Sequence, residues 1–118
     1  MKYMIKKKNP NNLASLEIEE IEEIDFTVAD TFFTKLKGLM FKNEVAKAMI
    51  FFKCKQIHTF FMKIPIDVYY FDKNMMIIKI DENISPNKIG KYIANAYGVI
   101  ETSANSKAFD IGDIIVKI

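Results

Sequence analysis

Arginine is absent. All 17 basic residues are lysines, and 15 acidic residues leave a net charge of only +2 on 118 residues. Arginine supplies the rigid fork that reads bases and phosphates through paired bonds. Its absence, with the lysines dispersed, argues against nucleic acid as a partner. The longest basic run, Lys6, Lys7 and Lys8, reads as a solvated strand end. A single cysteine, Cys54, excludes an internal disulfide. A single histidine, His58, leaves little from which to build a catalytic triad, or a structural zinc site, which commonly takes four nitrogen or sulfur ligands. Neither a phosphate-cradling GxxxxGK[ST] pattern nor a dinucleotide GxGxxG pattern occurs. No run approaches the roughly 18 apolar residues of a membrane span. The opening MKYMIKKKNPNN lacks the apolar stretch of a secretory signal. A soluble protein in a reducing, cytoplasmic setting is therefore expected, with no metal and no cofactor.

Half of the residues are hydrophobic and 27% are charged. That balance suits one domain over residues 1–118 with a true core and excludes a disordered chain. Short strand patterns recur between turn formers. Residues 3–8 and 13–18 flank the turn-rich NPNN, and 48–52 (AMIFF) read as a buried strand. IDVYYF (66–71) and MMIIKI (75–80) flank DKN, a hairpin turn, and residues 81–91 read as a surface loop with room for one short strand. A further strand is expected after Asn95, and DIIVKI (113–118) closes the chain. IEEIEEIDF (18–26) is ambiguous. Its isoleucines recur every third residue, as on a helix face, yet Ile24–Ala29 alternates as a strand does. Asp30 can cap a helix through TFFTKLKGLM, whose apolar residues fall on one face. A second short helix is expected within SANSKAFDIG (103–112). The fold class is mainly β (β-rich α+β): a compact, barrel-like or sandwich-like domain with one or two short helices.

The richest chemistry lies in HTFFMKIPIDVYY (58–70). His58, Thr59, Lys63 and Asp67 form a polar constellation, with Phe60, Phe61 and Met62 interleaved to anchor the loop in the core. Two readings follow. The polar heads can line a groove for a small molecule or a protein. Alternatively, Asp67 accepts backbone hydrogen bonds, Lys63 pairs with it, and His58 locks the turn, since an isolated buried charge is costly. A Cys54–His58 nucleophile pair, four residues apart, is the enzymatic alternative. It lacks a helical pattern and an oxyanion site. DIGD (110–113) reads as a turn before the last strand.

Several ordered segments carry a resemblance: VADTFFTKLKGLMF, MIFF, HTFFMKIPIDVYYFD and the closing ETSANSKAFDIGD. Together they resemble the DUF192 (UPF0127) family from about Val28 to the C-terminus. The matching positions are Gly38, Leu39 and Met40, then Phe61, Met62, Lys63, Pro65, Ile66 and Asp67. The resemblance implies a small, predominantly β fold with short helices and favours an early hairpin over an acidic helix. It implies no established reaction. Many members carry tryptophan where this chain has Phe61, which keeps an aromatic ring and loses the indole donor. MKIP is shorter than the family's usual MKNT-type junction, and TSANS replaces a more glycine-rich start. The leading expectation is a non-enzymatic module that binds a small ligand or a protein through the face around His58–Asp67. A structural accessory role and a small hydrolase using His58 with either Cys54 or Asp67 are the alternatives.

Overall fold

The computed structural model describes residues 2–6, 13–21 and 48–117. Among these residues seven strands run in chain order: β1 (Lys2–Lys6), β2 (Leu13–Ile21), β3 (Ala48–Phe52), β4 (Ile66–Phe71), β5 (Ile77–Ile84), β6 (Gly98–Ser103) and β7 (Ile114–Lys117). Their order in space is β5-β4-β6-β3-β2-β1-β7. The ladder bends at β2 into two sheets. Its first half pairs with β1, antiparallel, from Lys6↔Leu13 to Lys2↔Glu17. Its second half pairs with β3, parallel, from Ile18↔Ala48 to Ile21↔Phe51. All other strand pairs are antiparallel. Among the described residues the two outer edges meet at an isolated bridge, Met76↔Ile114, and at the backbone bonds beside it. The architecture is thus mainly β and sandwich-like, and it is not a closed barrel.

Strand β4 is buried along its whole length, and β3 nearly so. A strand covered on both faces reads as a continuous apolar run, as IDVYYF and AMIFF do. One core lies between the sheets, where Tyr3, Ile5 and Ile115 pack against Ile50, Tyr69 and Ile100. The other, hereafter the outer core, covers the opposite face of the larger sheet. There Met49, Phe51, Val68, Tyr70 and Val99 meet loop residues Cys54, Ile57, Met62 and Ala96. Gly98 stands where Phe71 crosses it. A Cβ at this position would overlap the Phe71 ring and the Phe51 carbonyl, so the bare backbone is what lets β6 pass.

Three expectations change. β2 continues as strand through Ile21, because the parallel ladder to β3 outweighs the three-residue spacing that suggested a helix. β5 extends to Ile84, past the expected end at residue 80. A bulge makes this possible: Ile66 pairs with Ile84 and Val68 with Asp81, so Glu82 and Asn83 face Asp67 alone. The short helix expected within 103–112 is absent, and turns take its place. Asn105 (φ 61°) and Lys107 (φ 53°) adopt left-handed backbone, and the Ser106 N–H bonds Asp67 instead of a helical carbonyl. The expected strand over 24–29, the helix after Asp30, and Gly38, Leu39 and Met40 lie outside the described residues.

Candidate functional site

Residues 55–62 and 87–93 fasten to each other across the outer core and form a clasp. Four backbone bonds carry it: Ile93 N–H to Lys55 O (2.9 Å), Gly90 N–H to Ile57 O (2.8 Å), Thr59 N–H to Lys88 O (2.8 Å) and Asn87 N–H to Thr59 O (2.9 Å). His58 and Ile89 face each other in an isolated antiparallel bridge. Thr59 is fully buried and completes the fastening. Its hydroxyl accepts the Lys88 N–H (2.8 Å) and donates to Ser85 O (2.7 Å).

His58 is 1% exposed, and its Nδ1 accepts the Phe60 N–H at 3.2 Å. An accepting Nδ1 places the proton of the neutral ring on Nε2. Burial lowers its pKa below the usual 6.5, which favours that neutral form. The ring stacks on Phe60, with centroids 4.7 Å apart. Cys54 directs its thiol to Gln56 O (3.2 Å). The thiol of Cys54 and Nδ1 of His58, the pair of the enzymatic alternative, thus bond different backbone groups, Gln56 O and the Phe60 N–H.

The phenylalanines depart from expectation. Met62 is buried and does anchor the turn, but Phe60 is 37% and Phe61 57% exposed. Ile57, His58, Thr59 and Met62 hold the turn, and the two rings stand outside. Phe61 also takes a left-handed backbone, φ 64°, which a bulky residue adopts at a cost on the order of 1–3 kcal/mol. Ile89, on the facing segment, is 68% exposed. Lys63, Pro65, Lys88 and Lys91 are exposed around this tip.

Asp67 belongs elsewhere. Its neighbours Ile66 and Val68 enter the outer core, so the pleat turns Asp67 to the Tyr69 side. It is fully buried. Oδ1 accepts the Asn83 N–H (2.8 Å), freed by the bulge, and Oδ2 accepts the Ser106 N–H (3.2 Å). The backbone-acceptor role expected of Asp67 is thus present. Among the described residues no ion pair joins it to Lys63; the cation that feels its charge is Lys107, which pairs with Glu82 at 3.1 Å. Beside it lies a hydroxyl chain. Tyr69 and Ser106 hydroxyls are 3.0 Å apart, those of Ser106 and Thr102 2.7 Å, and Thr102 donates to Ser103 O at 3.0 Å. One proton per hydroxyl fixes the direction: Tyr69 donates to Ser106, and Ser106 to Thr102. The structure therefore joins His58 to Thr59 in the clasp and separates both from Asp67.

One carboxyl had no place in the sequence reading. Glu101, on β6, is fully buried, and neither carboxyl oxygen has a hydrogen-bond partner among the described residues. Burial raises its pKa from 4.5 to about 8. A lone glutamate inside the apolar run GVIET was the available signal. An open depression of about 330 Å³ lies between the 72–74 turn and residues 94–96. Its polar groups already serve the fold: Lys55 Nζ donates to Ala94 O (2.6 Å), and Asp72 Oδ1 accepts the Asn74 and Met76 N–H groups. Among the described residues no three His, Cys, Asp or Glu side chains are grouped to hold a metal. No helix there is long and apolar enough to cross a membrane.

The sequence profile of DUF192, described as an uncharacterised ACR, matches residues 14–113. The chain belongs to the DUF192 family. No protein of curated function matches it. Two solved structures are similar to this DUF192 domain. One is a protein of unknown function from Novosphingobium aromaticivorans DSM 12444, 18% identical over 98% of this chain and 83% of that one, with a TM-score of 0.73. The other, from Sinorhizobium meliloti 1021, is provisionally named a transcription regulator. It is 16% identical over 97% of this chain and 90% of that one, with a TM-score of 0.70. At such identities the likeness is one of fold.

Proposed function

We propose that this DUF192 domain is a non-enzymatic protein-binding module and that the clasp tip, Phe60, Phe61 and Ile89, is its binding face. The observation that carries the reading is Phe61: a large aromatic side chain held in solvent on a left-handed backbone. A partner can use an exposed aromatic ring presented on a fixed turn as its anchor. His58, Thr59 and Met62 then serve as the support that aims the rings. Lys63 and Lys88 at the rim favour a partner that combines apolar and acidic side chains. The alternative structural role accounts for the satisfied bonds of Thr59 and Asp67 and for the stacking of Phe60 on His58, whereas the exposure of Phe61 and Ile89 favours the binding role.

Selection of a displayed random-peptide library on the purified domain tests the reading. Enriched peptides should pair aromatic or aliphatic residues with acidic ones. They should lose at least tenfold in affinity for Phe61→Ser and Ile89→Ser variants, whose thermal stability should match that of the parent. Failure to enrich any peptide, or equal binding to both variants, refutes the proposal.

A further inference from the structure

We infer that the outer core contains a second site, for a small organic cation of the alkylammonium or alkylguanidinium class, with Glu101 as its counter-ion. Glu101 stands at the centre of the larger sheet, in register with Val68 on β4 and Met49 on β3. Its side chain shares the face of Val99 and Val68, which the clasp covers. A buried polar group ordinarily has its hydrogen bonds made. Here two acceptor oxygens on one carboxyl have no partner among the described residues, and its neighbours on that face, Val68, Met49 and Val99, are apolar. Two bare oxygens match a group presenting two N–H donors, the arrangement of the strongest carboxylate pairs. The apolar walls suit an alkyl stem.

Among the described residues, the charged and titratable groups near this face are Asp81, Lys79, Tyr70 and Cys54. From β5, Asp81 stands opposite Val68, and Lys79 opposite Tyr70. Tyr70 itself donates to Lys91 O at 3.2 Å. Its pKa is raised first by burial, then by the charges of Asp81, Cys54 and Glu101. Glu101 is governed by burial alone, which holds its proton up to about pH 8. A cation that takes the carboxylate must therefore displace that proton. Binding at pH 7 should release close to one proton, and affinity should rise about tenfold per pH unit from pH 5 until it levels near pH 8.

Titration calorimetry with n-butylammonium and n-butylguanidinium chlorides, at pH 6, 7, 8 and 9 and in two buffers of different ionisation heat, is the direct test. Either probe should bind, with that pH dependence and a buffer-dependent heat, and Glu101→Gln should abolish the binding. The native protein offers a second readout if the variant does not fold. The carboxyl carbon of Glu101, followed by nuclear magnetic resonance, should titrate at lower pH when the saturating probe is present. No binding of either probe overturns the inference. So does binding with pH-independent affinity, binding retained in Glu101→Gln, or a Glu101 titration that the probe leaves in place.

Discussion

Replacing Glu101 by glutamine should flatten the pH dependence of folding stability. In the folded chain the carboxyl titrates at about 8, against a reference value of 4.5. The unfolded chain therefore releases its proton near pH 4.5, while the folded chain keeps it until about pH 8. Between those limits the unfolded state binds fewer protons, so stability is highest at low pH, falls as pH rises, and levels above pH 8. At about 1.4 kcal/mol per pH unit, the fall across the window is on the order of 4 kcal/mol, a large part of the stability of a domain this size. His58 acts in the opposite sense in a different window. Its lowered pKa means that stability is lost as pH falls below 6.5, when the unfolded chain takes up a proton that the folded ring refuses. Comparing the variant with the parent cancels that contribution. Urea unfolding followed by far-ultraviolet circular dichroism from pH 5 to 9 reads the difference. The two proteins should be close in stability at pH 5 and should diverge toward pH 8.5, with the variant the more stable. Profiles parallel within about 0.5 kcal/mol over the whole range would show that Glu101 is not held protonated, and the reasoning would fail.

Three further perturbations have defined outcomes. Asp67→Asn leaves one side-chain acceptor for two backbone N–H groups and should cost about 1–3 kcal/mol in urea unfolding, with faster amide exchange at Asn83 or Ser106. Thr59→Val removes both hydroxyl bonds of the clasp. It should lose about 1–3 kcal/mol and speed exchange at the Lys88 amide, while the ladder between β3 and β6 keeps its protection relative to global unfolding. Gly98→Ala drives a methyl into the Phe71 ring and the Phe51 carbonyl. It should destabilise by about 1–3 kcal/mol or prevent folding, and a thermal midpoint equal to that of the parent would contradict the close crossing.

Much of the sheet was legible because its strands are buried on both faces. AMIFF and IDVYYF announce themselves as continuous apolar runs, and the boundaries of IDVYYF follow Pro65 and DKN on either side. DKN was legible for a local reason: Asp72 bonds the amides of its own turn. What could not be read were arrangements decided by distant pairing. The bulge opposite Asp67 depends on how β5 aligns with β4, so the sequence suggested Lys63 as the aspartate's partner when the partners are amides of Asn83 and Ser106. Ser106 was drawn out of an expected helix by the same carboxylate. The clasp joins segments about 30 residues apart, and nothing local to HTFFMK shows that Phe60 and Phe61 are turned outward while Met62 goes in. Glu101 was passed over because a single charge in a strand usually reaches water; only the neighbouring strands and the loops above them reveal that it does not.

The strand Leu13–Ile21 keeps two alignments at once, antiparallel on one half and parallel on the other. Sliding it by one residue would exchange inward and outward side chains in both sheets together. Neither sheet can drift to another pairing without dismantling its neighbour. The two halves of the sandwich should therefore melt and exchange their amides as one cooperative unit, and their shared strand is the seam along which a register error would be rejected during folding.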